Sequence, residues 1–156
     1  MFKKILLPFL VILVAIQLYR PAKNQSQEPT PAALKNHYPL PDSVEVLLAA
    51  ACYDCHSNNS RYPWFDQVAP VSWFVAYHIR GGKRHLNFDT YDDYTVKRKV
   101  KRLKDIAETL ENGTMPLSTY TDVHKDARLS PEQKKMLIDW AESLAKSIAD
   151  TTKATL

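Results

Sequence analysis

The sequence has little glycine and few stretches in which β-branched and polar residues alternate. Three glycines stand against ten prolines among its 156 residues. An all-β sandwich or barrel needs many turns and many alternating strands, so this composition disfavours both. The length suits one compact domain and is too short for two domains of ordinary size. We therefore expect a single, all-α core.

Cysteine is also scarce, and both cysteines lie in one short motif. In "CYDCH", Cys52 and Cys55 are three residues apart and His56 follows directly. A helix over this stretch would place both thiols on neighbouring turns of one side, with the imidazole close by. Two thiols can then form thioethers with the two vinyl groups of a haem, while the imidazole reaches the iron. C-x-x-C-H is the attachment signature of c-type haem.

Three alternatives to haem attachment remain open at this point. A thioredoxin-type redox pair would follow a strand, whereas residues 44–55 have the apolar spacing of an amphipathic helix that begins near Asp42 with a predicted cap. A structural zinc site would need a second pair of ligands, and no further C-x-x-C or H-x-x-x-H follows. A disulfide between Cys52 and Cys55 would close a small, strained loop. Haem attachment is the interpretation that we favour.

The second axial ligand of such a haem is predicted to be Met115. A helix from about Thr95 to Glu111 ends at Asn112-Gly113, and the segment "TMPL" follows. Pro116 biases Met115 towards an extended backbone, so its thioether can cross the open face of the haem. His78 is the next candidate. The remaining candidates are His37, His85, His124 and Met136.

Aromatic side chains are dense between the motif and Met115. They include Tyr62, Trp64, Phe65, Trp73, Phe74 and Tyr77. Such a cluster could surround a porphyrin and exclude water from its iron, although ordinary core packing explains any single member equally well. We predict Trp64 and Trp73 as haem contacts.

The last predicted helix begins with "SPEQ", which combines an N-cap serine, proline at the first helical position and a capping-box glutamine. An apolar stripe follows along residues 137–148. A helix that carries the motif, a middle helix, a methionine loop and a final amphipathic helix are the layout of a class I cytochrome c. The order of elements therefore predicts a helical domain around one haem.

Several segments together resemble a more specific family. "CYDCHSNNSRYPWF", "APVSWF", "GGKRHLNF", "MPLSTYTDVH" and "LSPEQKKMLIDWA" are similar to a small haem-binding domain family of bacterial, often Bacteroidetes, exported proteins with a C-x-x-C-H motif. The similarity runs from about Pro39 to Leu144. It implies one covalently attached haem c at Cys52, Cys55 and His56, and Met115 matches the M-P-L element of the family. The resemblance implies the cofactor and no biological role.

The N-terminus is predicted to lie outside the core. Lys3 and Lys4 precede an apolar run that ends near Arg20, which is typical of a targeting segment. Residues 1–20 are a signal peptide or an uncleaved membrane anchor, and the lack of an A-x-A site favours the anchor. Residues 21–41 read as a Pro-rich polar tether. Residues 42–150 form the cytochrome c-like domain, and 151–156 a C-terminal tail.

A basic run, "KRKVKRLK", covers residues 97–104. With its apolar residues turned inward, the cations form a solvated helix face, or else a docking patch for an acidic redox partner or lipid head groups. Nucleic acid is not expected as a partner. The oligomeric state is left open.

These observations predict a membrane-tethered monohaem cytochrome that carries electrons between redox protein partners. Thioether attachment takes place outside the bacterial inner membrane, so the haem domain is expected in the periplasm. No catalytic constellation is visible, and we do not expect an enzyme. The alternative is a haem-based gas sensor or a peroxidase-like enzyme with an open distal site, in which His78 or His85 would be the acid–base candidate.

Overall fold

The computed structural model describes residues 2–28 and 30–154, with side chains from residue 5 onward. These residues form helices α1 (Phe2–Ala15), α2 (Leu34–His37), α3 (Asp42–Ala51), α4 (Tyr53–His56), α5 (Val71–His85), α6 (Val96–Glu111), α7 (Ser118–Val123) and α8 (Pro131–Ala154). No strand occurs in the described ranges, and the all-α prediction is confirmed there. The predictions for the side chains of Lys3 and Lys4 and for residues 155–156 lie outside the described residues.

The core lies between α3, α6 and α8. Its most deeply buried large side chains are Leu34, Leu48, Tyr91, Leu103 and Leu137. Burying one leucine of this kind stabilises the fold by about 1.5–3 kcal/mol. The long helices α6 and α8 pack against each other. Helix α3, which leads into the cysteine motif, packs against α8.

A local sequence signal correctly predicts the cap at the start of α8 but not the one at the start of α3. The backbone N–H of Gln133 donates to Ser130 Oγ at 3.2 Å, and the Ser130 N–H donates to Gln133 Oε1 at 2.8 Å. This is the predicted capping box. The predicted cap at Asp42 is wrong, because α3 begins at Asp42 itself and the N–H groups of Val44 and Glu45 donate to the Pro41 carbonyl.

Part of the segment predicted as a tether packs on the domain. Leu34 is fully buried in the core, and the side-chain amide of Asn24 donates to the Ser57 carbonyl at 2.9 Å and to Ser60 Oγ at 2.8 Å. The composition of residues 21–41 did not reveal these contacts, because they depend on partners distant in sequence.

Helix α1 and the 3-10 turn that follows it, Ile16–Leu18, carry exposed apolar side chains. In the part of the chain that is described, no helix combines the length and the apolar character needed to cross a bilayer. The junction with the domain is fixed, since the Gln17 side chain bonds both the N–H and the carbonyl of Ala69, at 2.9 and 3.1 Å.

Helix α5 positions the motif helix α4. Gly82 lies so close to Cys55 that a Cβ atom at position 82 would stand 2.5 Å from the Cys55 carbonyl oxygen. Real Cβ atoms do not approach an oxygen that closely, so only glycine allows this packing. The backbones of α4 and α5 are thus in direct contact at the second cysteine.

Candidate functional site

The two cysteines and His56 lie at the bend where α3 ends and α4 begins. Cys52 has a non-helical backbone (φ −128°, ψ −44°) and accepts a hydrogen bond from the His56 N–H at 3.0 Å through its carbonyl. Both thiols are half-buried and free. The structure therefore brings Cys52, Cys55 and His56 together within one turn, as the sequence predicts for a haem attachment site.

Burial suppresses ionisation of both thiols. It raises the pKa of Cys52 to about 12, with a smaller effect from Cys55, and the pKa of Cys55 to about 11, with smaller effects from Asp54 and Asp66. Redox-active cysteines in C-x-x-C motifs instead have lowered pKa values. The local environment is therefore unlike that of the thioredoxin-type alternative.

The zinc alternative requires further ligands near the cysteines. In the residues that the structure describes, no group of three or more His, Cys, Asp or Glu side chains is arranged to hold a metal ion. The four-ligand set of that alternative is thus not assembled within these ranges.

The imidazole of His56 is oriented by a backbone carbonyl. Its Nδ1 lies 3.0 Å from the carbonyl oxygen of Leu86, just beyond the end of α5. A carbonyl only accepts, so Nδ1 carries the hydrogen and Nε2 keeps its lone pair. Burial lowers the pKa of His56, although backbone hydrogen bonds to Leu86 and Gly82 oppose this effect. A neutral imidazole with a carbonyl-bonded Nδ1 is the usual state of a histidine metal ligand.

An aromatic face adjoins the motif. Phe74, His78 and Gly82 follow each other at four-residue spacing on α5, so they share one side of the helix, and Gly82 contacts Cys55. The rings of Phe74 and His78 are 4.1 Å apart, and His78 Nδ1 lies 2.9 Å from the Phe74 carbonyl. Phe74 is half exposed. An exposed aromatic face beside two thiols and an oriented imidazole fits a haem.

The two predicted tryptophan contacts lie in different settings. Trp64 is 78% exposed and packs edge-on against Phe65. Trp73 is half-buried, and its Nε1 donates to the Tyr19 carbonyl at 2.9 Å. The structure thus ties Trp73 to the N-terminal segment, and contact of either tryptophan with a haem stays a prediction.

Met115 lies on the loop between α6 and α7, as the sequence predicts. It is half-buried, and its N–H donates to the Thr109 carbonyl at 3.1 Å. Five residues further on, Tyr120 of α7 donates its hydroxyl to Asp54 Oδ2 at 2.6 Å, between the two cysteines. The segment after Met115 is therefore attached directly to the motif.

Arg61 joins the motif to this segment. Its Nε donates to Asp54 Oδ2 at 3.0 Å, one terminal nitrogen donates to Asp126 at 2.8 Å, and the other to the Tyr120 hydroxyl at 2.9 Å. The Arg61 N–H bonds the other oxygen of Asp54. The buried carboxylate in the motif is thus fully hydrogen-bonded, and sequence reasoning missed this network because its members are up to 72 positions apart.

His124 is a second histidine with a free ring nitrogen. Its Nδ1 lies 3.2 Å from the Tyr120 carbonyl, and its ring stacks on that of Tyr120 with centroids 4.2 Å apart. Its Nε2 is buried and has no hydrogen-bond partner among the described residues. The sequence placed His124 only among the minor ligand candidates, and no local signal distinguished it.

The comparisons with known proteins give one match. A family model described as a haem-binding domain matches residues 11–143. No curated protein and no solved structure gives a match to the chain.

Proposed function

This chain belongs to the haem-binding domain family, and from that premise we propose that it is a c-type monohaem cytochrome that transfers electrons. Haem would be attached covalently at Cys52 and Cys55, with His56 as the proximal ligand. The observation that carries the proposal is the orientation of His56, whose Nδ1 is bonded to the Leu86 carbonyl, beside two protonated thiols.

Met115 is the proposed distal ligand. Its loop is fixed to the motif through the Tyr120–Asp54 hydrogen bond. A methionine ligand favours the ferrous state and raises the reduction potential. When bound, the haem iron supplies a one-electron Fe(III)/Fe(II) couple, and the chain itself keeps the two axial side chains oriented.

We further propose that the protein is attached to the bacterial inner membrane, with its haem domain in the periplasm, where redox proteins would donate and accept electrons. Most apolar side chains of α1 from Ile5 onward are exposed, including Leu7, Phe9 and Val14. Exposed apolar surface of this extent is typical of membrane contact.

The test uses the full chain produced together with a haem-attachment system. We expect its intact mass to exceed that of the bare chain by one haem, and Cys52→Ser with Cys55→Ser to abolish this gain. A bare-chain mass without Soret absorbance would show that the cytochrome proposal is wrong.

The ferric spectrum tests the distal ligand separately. We expect a sulfur-to-iron charge-transfer band at the red edge, which Met115→Ala removes. Met136→Ala is the matched control, because Met136 is an exposed residue of α8 and its loss should leave the band intact. Persistence of the band in Met115→Ala would contradict the assignment.

A second candidate function is a gas sensor or peroxidase-like enzyme with an open distal site. The buried, unpartnered Nε2 of His124 supports it, because such a group could bind a haem ligand or move a proton. A high-spin ferric spectrum in the unmutated protein, converted to low-spin by cyanide, would favour this candidate over electron transfer.

A further inference from the structure

A basic cleft lies between the N-terminal segment and α5. Its volume is about 470 Å³, and Tyr19 and residues 21–24 form one wall with Tyr62, while residues of α5 form the other. Lys23, Arg80, Lys83 and Arg84 line it, and no Asp or Glu is among its lining residues. We refer to this cavity as the basic cleft. Its charge selects for an anion.

The cations of the basic cleft make no close ion pair with a carboxylate in the part of the chain that the structure describes. Lys23 lies over the Tyr62 ring, Lys83 Nζ donates to Asn24 Oδ1 at 2.6 Å, and Arg80 Nε donates to a carbonyl of its own helix. None of the four cleft cations is in an ion pair within the described residues. Burial lowers the pKa of Lys83, although Asp89 opposes this effect, so a bound anion would stabilise its charge.

The basic run on α6 is different, although its sequence carries more cations. Lys101 and Arg102 both pair with Asp105 at 2.8 Å. Lys99, predicted to lie on the solvated face, is buried instead and pairs with Asp92. The run is thus partly neutralised within the protein. By contrast, Arg80, Lys83 and Arg84 of α5 form no ion pair in the described part of the chain.

The basic cleft lies where the apolar N-terminal helix meets the domain. Gln17 is bonded to Ala69, and the Tyr19 carbonyl accepts from Trp73, so the chain is held against α5 at this point. Tyr19 and Trp73 contact each other with ring centroids 6.0 Å apart. Tyrosine and tryptophan are enriched at membrane–water interfaces. With α1 in the lipid, the cleft would lie at the level of the head groups.

We propose that the basic cleft binds the phosphate of an anionic phospholipid head group and so holds the haem domain against the membrane surface. This inference rests on the membrane attachment proposed above. Each Lys or Arg near an anionic surface contributes measurably to binding, and the contributions fall off within a Debye length. The cleft thus acts as a second attachment point beside α1.

The test measures partition of the full, haem-loaded chain onto phosphatidylcholine vesicles with and without phosphatidylglycerol. The variant Arg80→Gln, Lys83→Gln, Arg84→Gln is compared with Lys97→Gln, Lys101→Gln, Lys104→Gln on α6, which removes the same charge. We expect the α5 variant to lose about a hundredfold of the phosphatidylglycerol-dependent gain. The α6 variant should retain most of that gain, and Arg80→Lys with Lys83→Arg and Arg84→Lys should restore it.

Equal losses in the two glutamine variants would overturn the proposal, because net charge would then explain the effect. Binding of inorganic phosphate by the cleft without any phosphatidylglycerol-dependent gain would assign the cleft to a free anion and also overturn the proposal. Binding to phosphatidylcholine alone, unchanged by phosphatidylglycerol, refutes the cleft while leaving α1 as an anchor. Failure to bind any vesicle refutes the membrane attachment itself, and the absorption spectrum reports the haem proposal independently.

Discussion

The two sides of the cysteine motif are held by different kinds of interaction. On the His56 side, backbone groups make the contacts: Gly82 lies against Cys55, and the Leu86 carbonyl bonds the imidazole. On the Met115 side, charged and hydroxyl side chains connect α7 to Asp54 through Arg61 and Tyr120. The first side is held by close backbone packing, and the second by ion pairs that are partly solvated. We expect the packing to contribute more to the free energy of unfolding, and the contribution of the ion pairs to depend on pH.

The largest expected effect is on the His56 side. Gly82→Ala places a methyl group against the Cys55 carbonyl, and overpacking of this kind destabilises a fold by about 1–3 kcal/mol. Gly81→Ala is the matched control, because its Cβ would meet open space and alanine is the better helix former by about 1 kcal/mol. Urea unfolding of the two variants measures the difference. Equal stability of the two variants would show that α4 and α5 can move apart to accommodate the added methyl group.

A smaller effect is expected on the Met115 side. Arg61→Gln removes a charged donor from the buried carboxylate of Asp54, which still accepts from the Tyr120 hydroxyl. Because Arg61 is half exposed, we expect the free energy of unfolding to fall by about 1 kcal/mol. This is at the lower end for a buried acceptor that loses a partner. Urea unfolding again provides the measurement. Arg128→Gln, which breaks an exposed pair with Asp122, should change stability less.

The smallest expected effect is the pH dependence of the stability that the Arg61–Asp126 pair contributes on the Met115 side. The hydrogen bond from Arg61 lowers the pKa of Asp126, so the pair stabilises the fold above the ordinary aspartate pKa and loses this contribution as pH falls through the lowered value. The stability difference between the unmutated chain and Asp126→Asn should therefore shrink below about pH 4. In an Arg61→Gln background the difference should become smaller at neutral pH, because only a backbone hydrogen bond and His124 then lower the pKa of Asp126. A difference that grows on acidification would contradict the sign.

Local signals in the sequence predicted much of the helical layout. The capping box at Ser130 and the end of α6 before Gly113 are both present, and Gly113 has the positive φ of 71° that favours glycine after a helix. Such signals act over three or four residues, so the sequence displays them directly. The cap predicted at Asp42 failed because the N-cap position is Pro41, which has no side-chain acceptor.

The candidate site was predicted only in part, for the same reason. Cys52, Cys55 and His56 lie within five positions in the sequence, and their spacing predicts that they lie together in space. The Leu86 carbonyl that orients His56 is 30 positions away, and Arg61 and Asp126 are 65 positions apart. Leu34 likewise reads as part of a polar tether and yet lies in the core. Long-range partners of this kind leave no periodic trace in the sequence.

The sequence by itself determined the helical class, the C-x-x-C-H spacing and the position of Met115 on a loop after a helix, because these depend on composition and on short-range spacing. Only the tertiary structure decided which nitrogen of His56 stays free, which basic residues lack a carboxylate partner and where the N-terminal segment meets α5. The ion-pair and hydrogen-bond partners of a residue are the groups that lie next to it in the folded chain. Two basic segments can therefore differ in how many of their cations are paired with carboxylates once the chain has folded.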